Sequence, residues 1–498
     1  MDLVQEVDFE VISDEEPIRE AGNKKPATSQ YNDVLSCIME HIQVVDFREK
    51  ANLDEKEKLE HRHYLIVCIE EVLKVAQDNK FGLCKRNNFL MAFNGAFWDV
   101  LDKEDLEFFL GNAAEKMGIE RKLARHYKFR EELLKQFASS AKLPKIQDDA
   151  NLVKINLLNG TFEINGVKQQ LQLVDKRDFL TYQLPFRYDP QAKAPIFEEY
   201  LNKVLPDEEL QKVIAEYIGN LFIKNQTLKL EKVLMLFGGG ANGKSVMFEI
   251  VNALLGKENV SNYSLMNLTN DNGYFRAKIA NKLVNYASEI NNRLNTDVFK
   301  QLVSGEPVEA RLPYGEPFTI TNYAKLIFNT NELPKEIEHT NAFFRRFLIV
   351  PFNVTIPEAE QDKELSKKII DSELSGVFNW VLEGLNRLLV QKGFSKSSAI
   401  EQQIEVYKTE SDSVKMFIEE ENYESSTSSK QYLKGLYTEY IDYCKSNGYR
   451  PCSTKSLSKR LTNAGFDLVR HKLGLQVFIE KKDFVEPAPS TPSTPLGF

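Results

Sequence analysis

Apolar positions change their period several times along the chain. From about Tyr31 to Pro144 they recur at three- and four-residue spacing, most clearly over Leu59–Val75 and Asp105–Met117, which predicts helices. Phe93–Gly95 reads as a turn inside that stretch. Residues 152–184 change to short runs: Leu152–Leu157, Thr161–Ile164, Leu171–Val174 and Phe179–Tyr182. Asn159-Gly160 and Asn165-Gly166 separate the first three. Asn-Gly tolerates the positive φ of a tight hairpin turn, so a small antiparallel sheet is expected. Residues 195–228 return to helical spacing. Strand and helix patterns then alternate to about residue 352, as in an α/β sheet. A long helical segment, Ser372–Val390, follows.

These changes give expected boundaries. Residues 1–30 form an acidic disordered tail, 31–150 a helical domain, 151–190 a small antiparallel subdomain and 191–230 a helical collar. Residues 231–395 form an α/β domain, 396–429 a helical connector with the polar linker Glu424–Ser429, and 430–484 a basic module. Residues 485–498, rich in Pro, Ser and Thr, form a second disordered tail. No internal repeat is evident.

Composition narrows the classes. Of 498 residues, 42% are hydrophobic and 28% charged, which is ordinary globular usage and excludes a collagenous or mostly disordered chain. No apolar run approaches the roughly 20 residues of a membrane span, so no membrane partner is expected. The acidic N-terminus is unlike a signal peptide. Five cysteines fit a reduced, cytoplasmic setting. Net charge is −9, yet it is unevenly spread. Residues 1–20 carry eight acids and one base, while residues 430–483 carry eleven Lys/Arg against five Asp/Glu. A basic module on an acidic chain is the electrostatic footprint of a nucleic-acid contact.

The sharpest local pattern is Gly238, Gly239, Gly240, Ala241, Asn242, Gly243, Lys244 and Ser245, which fits G-x-x-x-x-G-K-S/T. The apolar strand Val233–Phe237 enters it and the amphipathic helix Val246–Leu255 leaves it. Glycines let successive N–H groups point inward, which suits phosphate oxygens at a helix N-terminus. Lys244 is placed to reach the β- and γ-phosphates of ATP, and the Ser245 hydroxyl to ligate Mg²⁺.

Downstream residues suit the rest of an ATP site. Lys282–Ile290 reads as a buried strand ending at Glu289, a carboxylate able to hold a Mg²⁺-bound water or orient the attacking one. Lys325–Phe328 leads to Asn331, an amide able to position water without adding charge. Arg345 and Arg346 lie between apolar residues and are read as exposed at a domain edge, where an arginine can reach a neighbour's γ-phosphate. Val308–Leu312 and Glu316–Ile320 flank Pro313–Gly315 as a hairpin. His61 and His63 have no cysteine or carboxylate at ligand spacing, and Cys444 and Cys452 have no partnering pair. No metal site is expected from them.

The order of these motifs resembles superfamily 3 helicases of the phage/plasmid primase–helicase family, related to the poxvirus primase–helicase. The matching residues are Gly238–Ser245, Tyr286–Glu289, Phe299–Glu306, Arg311–Phe318, Phe328–Pro334, Arg345–Arg346 with Pro351–Phe352, and Gly376–Trp380 with Gly384–Leu385. Leu184–Pro190 resembles the segment that precedes the helicase core. The likeness covers residues 185–395 well and 80–184 weakly.

The resemblance implies an AAA+-like P-loop ATPase that forms a ring, usually a hexamer, with ATP between subunits. Lys244 and Ser245 then stand for Walker A, Glu289 for Walker B and Asn331 for sensor 1. Arg346 is the first choice for the arginine finger and Arg345 the second. Ser288 departs from relatives that carry two acids, which leaves open whether Glu289 serves Mg²⁺, the water or both. The hairpin would line the channel, with Lys300 and Arg311 on DNA phosphates and Tyr314 stacked on a base or sugar.

The basic module reads as helix Gln431–Ser446, a recognition helix Ser453–Ala464 with Lys455, Lys459 and Arg460, and strands Leu468–His471 and Leu475–Glu480. That is a winged-helix layout, with those three cations on DNA, or, as the alternative, a winged helix that binds protein. The expected activity is ATP-driven unwinding of duplex DNA by movement along one strand, in replication of a phage, plasmid or mobile element in a bacterial or equivalent cytoplasm. Partners would be single-stranded and forked DNA, other copies of the chain, and a separate primase or single-strand-binding protein. The last follows because residues before 80 are too few for a primase domain. An ATP-switched origin-binding initiator or loader, or a ring translocase without unwinding, is the competing class.

Overall fold

The computed structural model describes residues 30–54, 56–86, 89–142, 152–166, 168–288, 294–313, 315–334 and 337–482. Residues 1–29 of the expected acidic tail, the whole C-terminal tail, Glu289 and Tyr314 lie outside the described residues. The fold is mixed α/β: helical layers carry four small antiparallel sheets and one five-stranded parallel sheet.

In the N-terminal part, helices Gln30–His41, His61–Asp78, Lys103–Met117 and Tyr127–Ser140 close on a shared core that includes Ile38, Ile69, Leu110 and Phe137. Sequence reading expects only helices here. A three-stranded sheet, Gly82–Arg86, Phe89–Phe93 and Trp98–Val100, is inserted among them. Its strands have three to five residues, too few to display a period of two. The expected turn is present: Asn94 Oδ1 accepts from the N–H groups of Ala96 and Phe97, each at 2.9 Å.

The next sheet joins Leu152–Leu157, Gly160–Asn165 and Lys168–Gln172. The third strand starts three residues before the expected Leu171–Val174. The tight turn after Asn165 brings Lys168 into register at once, and the polar Lys168–Gln170 gives no apolar signal. Phe179–Tyr182, expected as a strand, follows a 3-10 turn, Lys176–Asp178, and is irregular. Phe179 is held instead by stacking on Trp98, with ring centroids 4.7 Å apart.

The parallel sheet consists of β1 (Val233–Phe237), β2 (Val260–Ser261), β3 (Val284–Ala287), β4 (Lys325–Thr330) and β5 (Phe347–Pro351), in spatial order β5-β1-β4-β3-β2. Its strands are apolar on both faces because helices cover both. Helices Pro195–Val204 and Glu208–Asn220 share a core with Leu374–Gln391. Gly384 permits that packing: a Cβ there would sit 2.4 Å from the Ala215 carbonyl carbon. A short hairpin, Val308–Ala310 with Phe318–Ile320, packs Val308, Ala310 and Ile320 into the core of the sheet domain. Buried Arg276 anchors it, donating from Nε to the Glu309 carbonyl at 2.6 Å.

The C-terminal part revises the expected linker. Tyr423–Tyr432 is a strand that pairs with Gly474–Lys481, which also pairs with Leu468–His471. Glu424–Ser429 lies inside it: Glu424 and Ser425 are paired, the register then shifts as far as Lys430, and Ser426 Oγ accepts from the N–H groups of Ser428 and Ser429, so it shows no apolar alternation. Val414 and Phe417 of helix Ser413–Glu420 join the same core as Tyr440, Leu457 and Val477. The module therefore begins near Ser413, ahead of the expected residue 430. Among the described residues no helix is long and apolar enough to cross a membrane.

Candidate functional site

The carboxyl ends of β1 and β4 open onto one loop, Gly238–Gly243. Gly238, Gly240 and Gly243 take φ of +159°, +118° and +86°. Gly243 has a second constraint, since a Cβ there would meet Val204 Cγ1 at 2.6 Å. Helix Lys244–Leu255 follows, two residues longer at its start than expected. Among the described residues, the backbone N–H groups of Gly239 to Ser245 find no acceptor, whereas that of Gly238 donates to the Thr330 carbonyl at 3.2 Å. The loop thus presents a run of free donors at a helix N-terminus.

Three segments fix this loop from outside. The Tyr200 hydroxyl donates to the Gly243 carbonyl at 2.9 Å. Asn242 Nδ2 donates to the Phe352 carbonyl at 3.0 Å, and Ile356 N–H to the Ala241 carbonyl at 2.7 Å. Asn329 Nδ2 donates to the Lys244 carbonyl at 3.3 Å. Lys244 itself is buried. Its Nζ donates to the Gly238 carbonyl at 2.7 Å and to Asn242 Oδ1 at 3.0 Å. Burial lowers its pKa from the usual lysine range.

A cavity of about 1110 Å³ lies over the loop. Gly240 to Ser245 form its floor. Ser288, Asn329 and Asn331 line one side, and Tyr200, Val204, Ile356 and Leu365 contribute to the other. The exposed hydroxyl of Ser245 and the exposed amide of Asn331 share this space, so those two expected site residues are brought together. Ser288 also reaches it, immediately before Glu289. The donor set fits a polyphosphate with its cation: free N–H groups, a buried ammonium, one hydroxyl and neutral amides. Tyr200, Asn242 in its bridging role, and Asn329 were not singled out by sequence reading, and only the strand-end position of Asn329 hinted at it.

Other expected positions differ. Arg346, read as exposed, is 8% exposed. Its guanidinium donates to Ser304 Oγ at 3.0 Å and to the Ala342 carbonyl. The flanking Phe343, Phe344 and Phe347 are all buried and carry it inward. Arg345 has its side chain 57% exposed and pairs with Glu231 at 2.7 Å. Neither arginine lines the cavity of its own chain. Lys300 lies in helix Thr296–Ser304, ahead of the hairpin, and is engaged by Glu338 and by Asp297, which raises its pKa. Two carboxylates already occupy the charge expected to meet DNA. Arg311 is in the hairpin loop, where Nε donates to the Gly315 carbonyl at 2.8 Å. Arg460 pairs with Asp412 at 2.5 Å and faces the sheet domain. Lys455 and Lys459 are exposed.

Comparison with known proteins follows this geometry. Residues 83–206 match a family described as D5 N terminal like, and residues 236–346 match a family of unknown function, DUF5906. The second match runs from the end of β1 to Arg346. A protein named "Putative helicase L207/L206", from Acanthamoeba polyphaga mimivirus, is 24% identical over 183 residues. The match covers 34% of this chain and 18% of the viral protein, so this chain spans under a fifth of that relative's length. Among solved structures, the apo NrS-1 C terminal region is 13% identical with a TM-score of 0.43, covering 82% of this chain and 97% of that one. An A form of the same region gives 0.43 and 13%, with 82% and 98% covered.

Proposed function

We propose that the chain is a ring-forming, ATP-dependent DNA helicase of the superfamily 3 type, acting in replication of a viral, phage or plasmid-like element. The observation that carries this reading is the run of unpaired N–H groups over Gly239–Ser245, closed from behind by Tyr200, Asn242 and Asn329. Fixed donors around a buried lysine act on phosphoryl transfer by electrostatics, with no reorganisation at the moment of reaction. The D5 N terminal like match and the helicase-named viral relative support the same direction.

In this mechanism the loop N–H groups hold the β-phosphate, and Lys244 Nζ leaves the Gly238 carbonyl and Asn242 for the β- and γ-phosphates. Bound Mg²⁺, held by Ser245 and Glu289, would neutralise charge on the phosphates. Asn331 orients the attacking water. An arginine of a neighbouring subunit completes the site, and its exposure makes Arg345 the better candidate than Arg346. The hairpin with Arg311 and Tyr314 grips one DNA strand in the channel. The C-terminal module, read as a winged helix, anchors duplex DNA.

The test measures ATP turnover with and without single-stranded DNA, strand displacement on a fork, and particle mass. Stimulated turnover, displacement and a hexameric mass are expected, and Lys244→Ala should lose turnover. Turnover unchanged in that variant overturns the site. Turnover without displacement favours a translocase or an ATP-switched initiator.

A further inference from the structure

The helix Thr454–Asn463, the natural candidate to read DNA, is turned toward the sheet domain. Leu457 and Leu461 are buried in the module core, and Arg460 is paired with Asp412. Ser456, Lys459, Arg460 and Asn463 line a cleft of about 1630 Å³ whose opposite wall carries Asp271, Asp297 and Glu338. Asp297 and Glu338 are shared with Lys300, and Lys415, Arg450 and Lys459 line the same cleft, so it presents mixed charge rather than a cationic face.

The hairpin Leu468–His471 and Gly474–Lys481 has the opposite character. His471 pairs with Gly474, so Lys472 and Leu473 form a two-residue turn. Arg470, His471 and Lys472 are exposed, and among the described residues neither Arg470 nor Lys472 makes an ion pair. At the far end of the same strand pair, Lys481 and Lys482 are both neutralised, by Glu421 and Glu424. Within this strand pair the cations without an ion pair are therefore those at the tip. Leu473 at its apex is 80% exposed and Val469 is 50% exposed. Tyr432 braces the base of the tip, its hydroxyl 3.4 Å from His471 Nδ1. An apolar residue at the point of a cationic hairpin suits a groove: cations meet the phosphates on either side while the apolar apex presses on sugars or a base step.

We propose that this hairpin tip, rather than the helix, is the duplex-DNA contact of the C-terminal module, with Arg470 and Lys472 on phosphates and Leu473 in the groove. The proposal rests on the DNA-dependent reading above. It is tested with the full chain, a fluorescein-labelled blunt duplex and the corresponding single strand, titrated across a range of salt. Arg470→Ala combined with Lys472→Ala should reduce the slope of log affinity against log salt by about 2 and weaken duplex binding roughly tenfold or more. Leu473→Ser should keep the slope and weaken duplex binding several-fold. Lys455→Ala should stay within about twofold of wild type, since Lys455 is not at the tip. All are surface changes, and an unchanged melting midpoint verifies the fold. If wild-type chain binds neither DNA form, the DNA reading itself fails. If it binds duplex and the double variant binds with the same slope, or the loss falls only on single strand or on Lys455→Ala, the hairpin assignment alone is overturned.

Discussion

Tyr286 on β3 donates its hydroxyl to Asn329 Oδ1 on β4 at 2.9 Å, and both side chains are buried. The same Asn329 amide donates to the Lys244 carbonyl. One side chain thus joins the strand that leads to Glu289, the strand that leads to Asn331 and the first turn of the helix that follows the glycine loop. A buried amide with both ends satisfied has a single orientation, so the two strand ends and the loop keep fixed relative positions.

Removing either half leaves a buried polar group alone, which costs about 1–3 kcal/mol. Tyr286→Phe should lower the melting midpoint by a few degrees and keep nucleotide affinity within about twofold. Asn329→Leu should lower the midpoint similarly and also weaken ATP binding several-fold, because it releases the Lys244 turn. Thermal melts and titration with a fluorescent ATP analogue measure both. Wild-type affinity in Asn329→Leu would reduce the amide to a structural role.

Arg345 and Arg346 should separate cleanly. Arg346 is buried on Ser304 and Ala342, so Arg346→Ala should destabilise the sheet domain. Arg345 is exposed on Glu231, so Arg345→Ala should keep the melting midpoint and ATP binding. An arginine finger is worth roughly 10³-fold or more in turnover, and a loss of that order is expected for Arg345→Ala. Mixing it with Lys244→Ala subunits should restore some turnover at mixed interfaces. Full turnover in Arg345→Ala would return the role to Arg346 or remove it.

What the sequence makes legible is local. The strand, glycine loop and helix around Gly238–Ser245 follow from spacing within one segment, and so does Asn331 at the end of its strand. What holds that loop is not local. Tyr200 and Asn329 reach it across 43 and 85 residues, and a single sequence carries no signal of such pairings. Arg346 is buried together with Phe343, Phe344 and Phe347, where a charged residue taken alone is expected at the surface. Glu424–Ser429 looks like a polar linker because its last four residues step out of the paired register and are held through the Ser426 hydroxyl, which leaves no apolar alternation. The small sheet at residues 82–100 was hidden by strands too short to show a period.

Lys325, at the start of β4, should give the chain a pH-dependent stability. Lys325 is half-buried, and its amine donates to Asn220 Oδ1 at 2.8 Å and to the Ile223 carbonyl at 2.7 Å at the end of helix Glu208–Asn220. Burial pushes its pKa down to about 7, against about 10.4 in an unfolded chain. Between those values the unfolded state binds the extra proton. Stability should therefore rise with pH from about 7 to about 10.4, by at most about 1.4 kcal/mol per pH unit, and level off on either side. Urea midpoints at about pH 6, 8 and 9.5 should show this slope in wild type and not in Lys325→Met. A flat wild-type profile would mean that the surrounding oxygens keep the ammonium form despite its burial.

The C-terminal module offers a test of where its fold begins. Phe417 is buried against Tyr423, Tyr440 and Tyr443, with ring centroids 5.2, 5.5 and 5.4 Å away. Two of those rings, with Leu457 and Val477, lie beyond residue 430. A chain ending at residue 429 would keep Val414, Phe417 and Tyr423 but lose the surfaces that cover them, each large apolar side chain then exposing about 1.5–3 kcal/mol of buried surface. It would also leave residues 423–429 as a strand without a partner, an open edge for other copies. A chain ending at residue 410 loses the whole core at once and keeps Tyr407 in the sheet domain, where its hydroxyl donates to the Pro334 carbonyl at 2.8 Å. The shorter chain should therefore be monodisperse in light scattering and retain Lys244-dependent ATP binding. The longer one should bind a hydrophobic dye and aggregate. Equal solubility of the two would place the module's beginning at residue 430, where composition alone puts it.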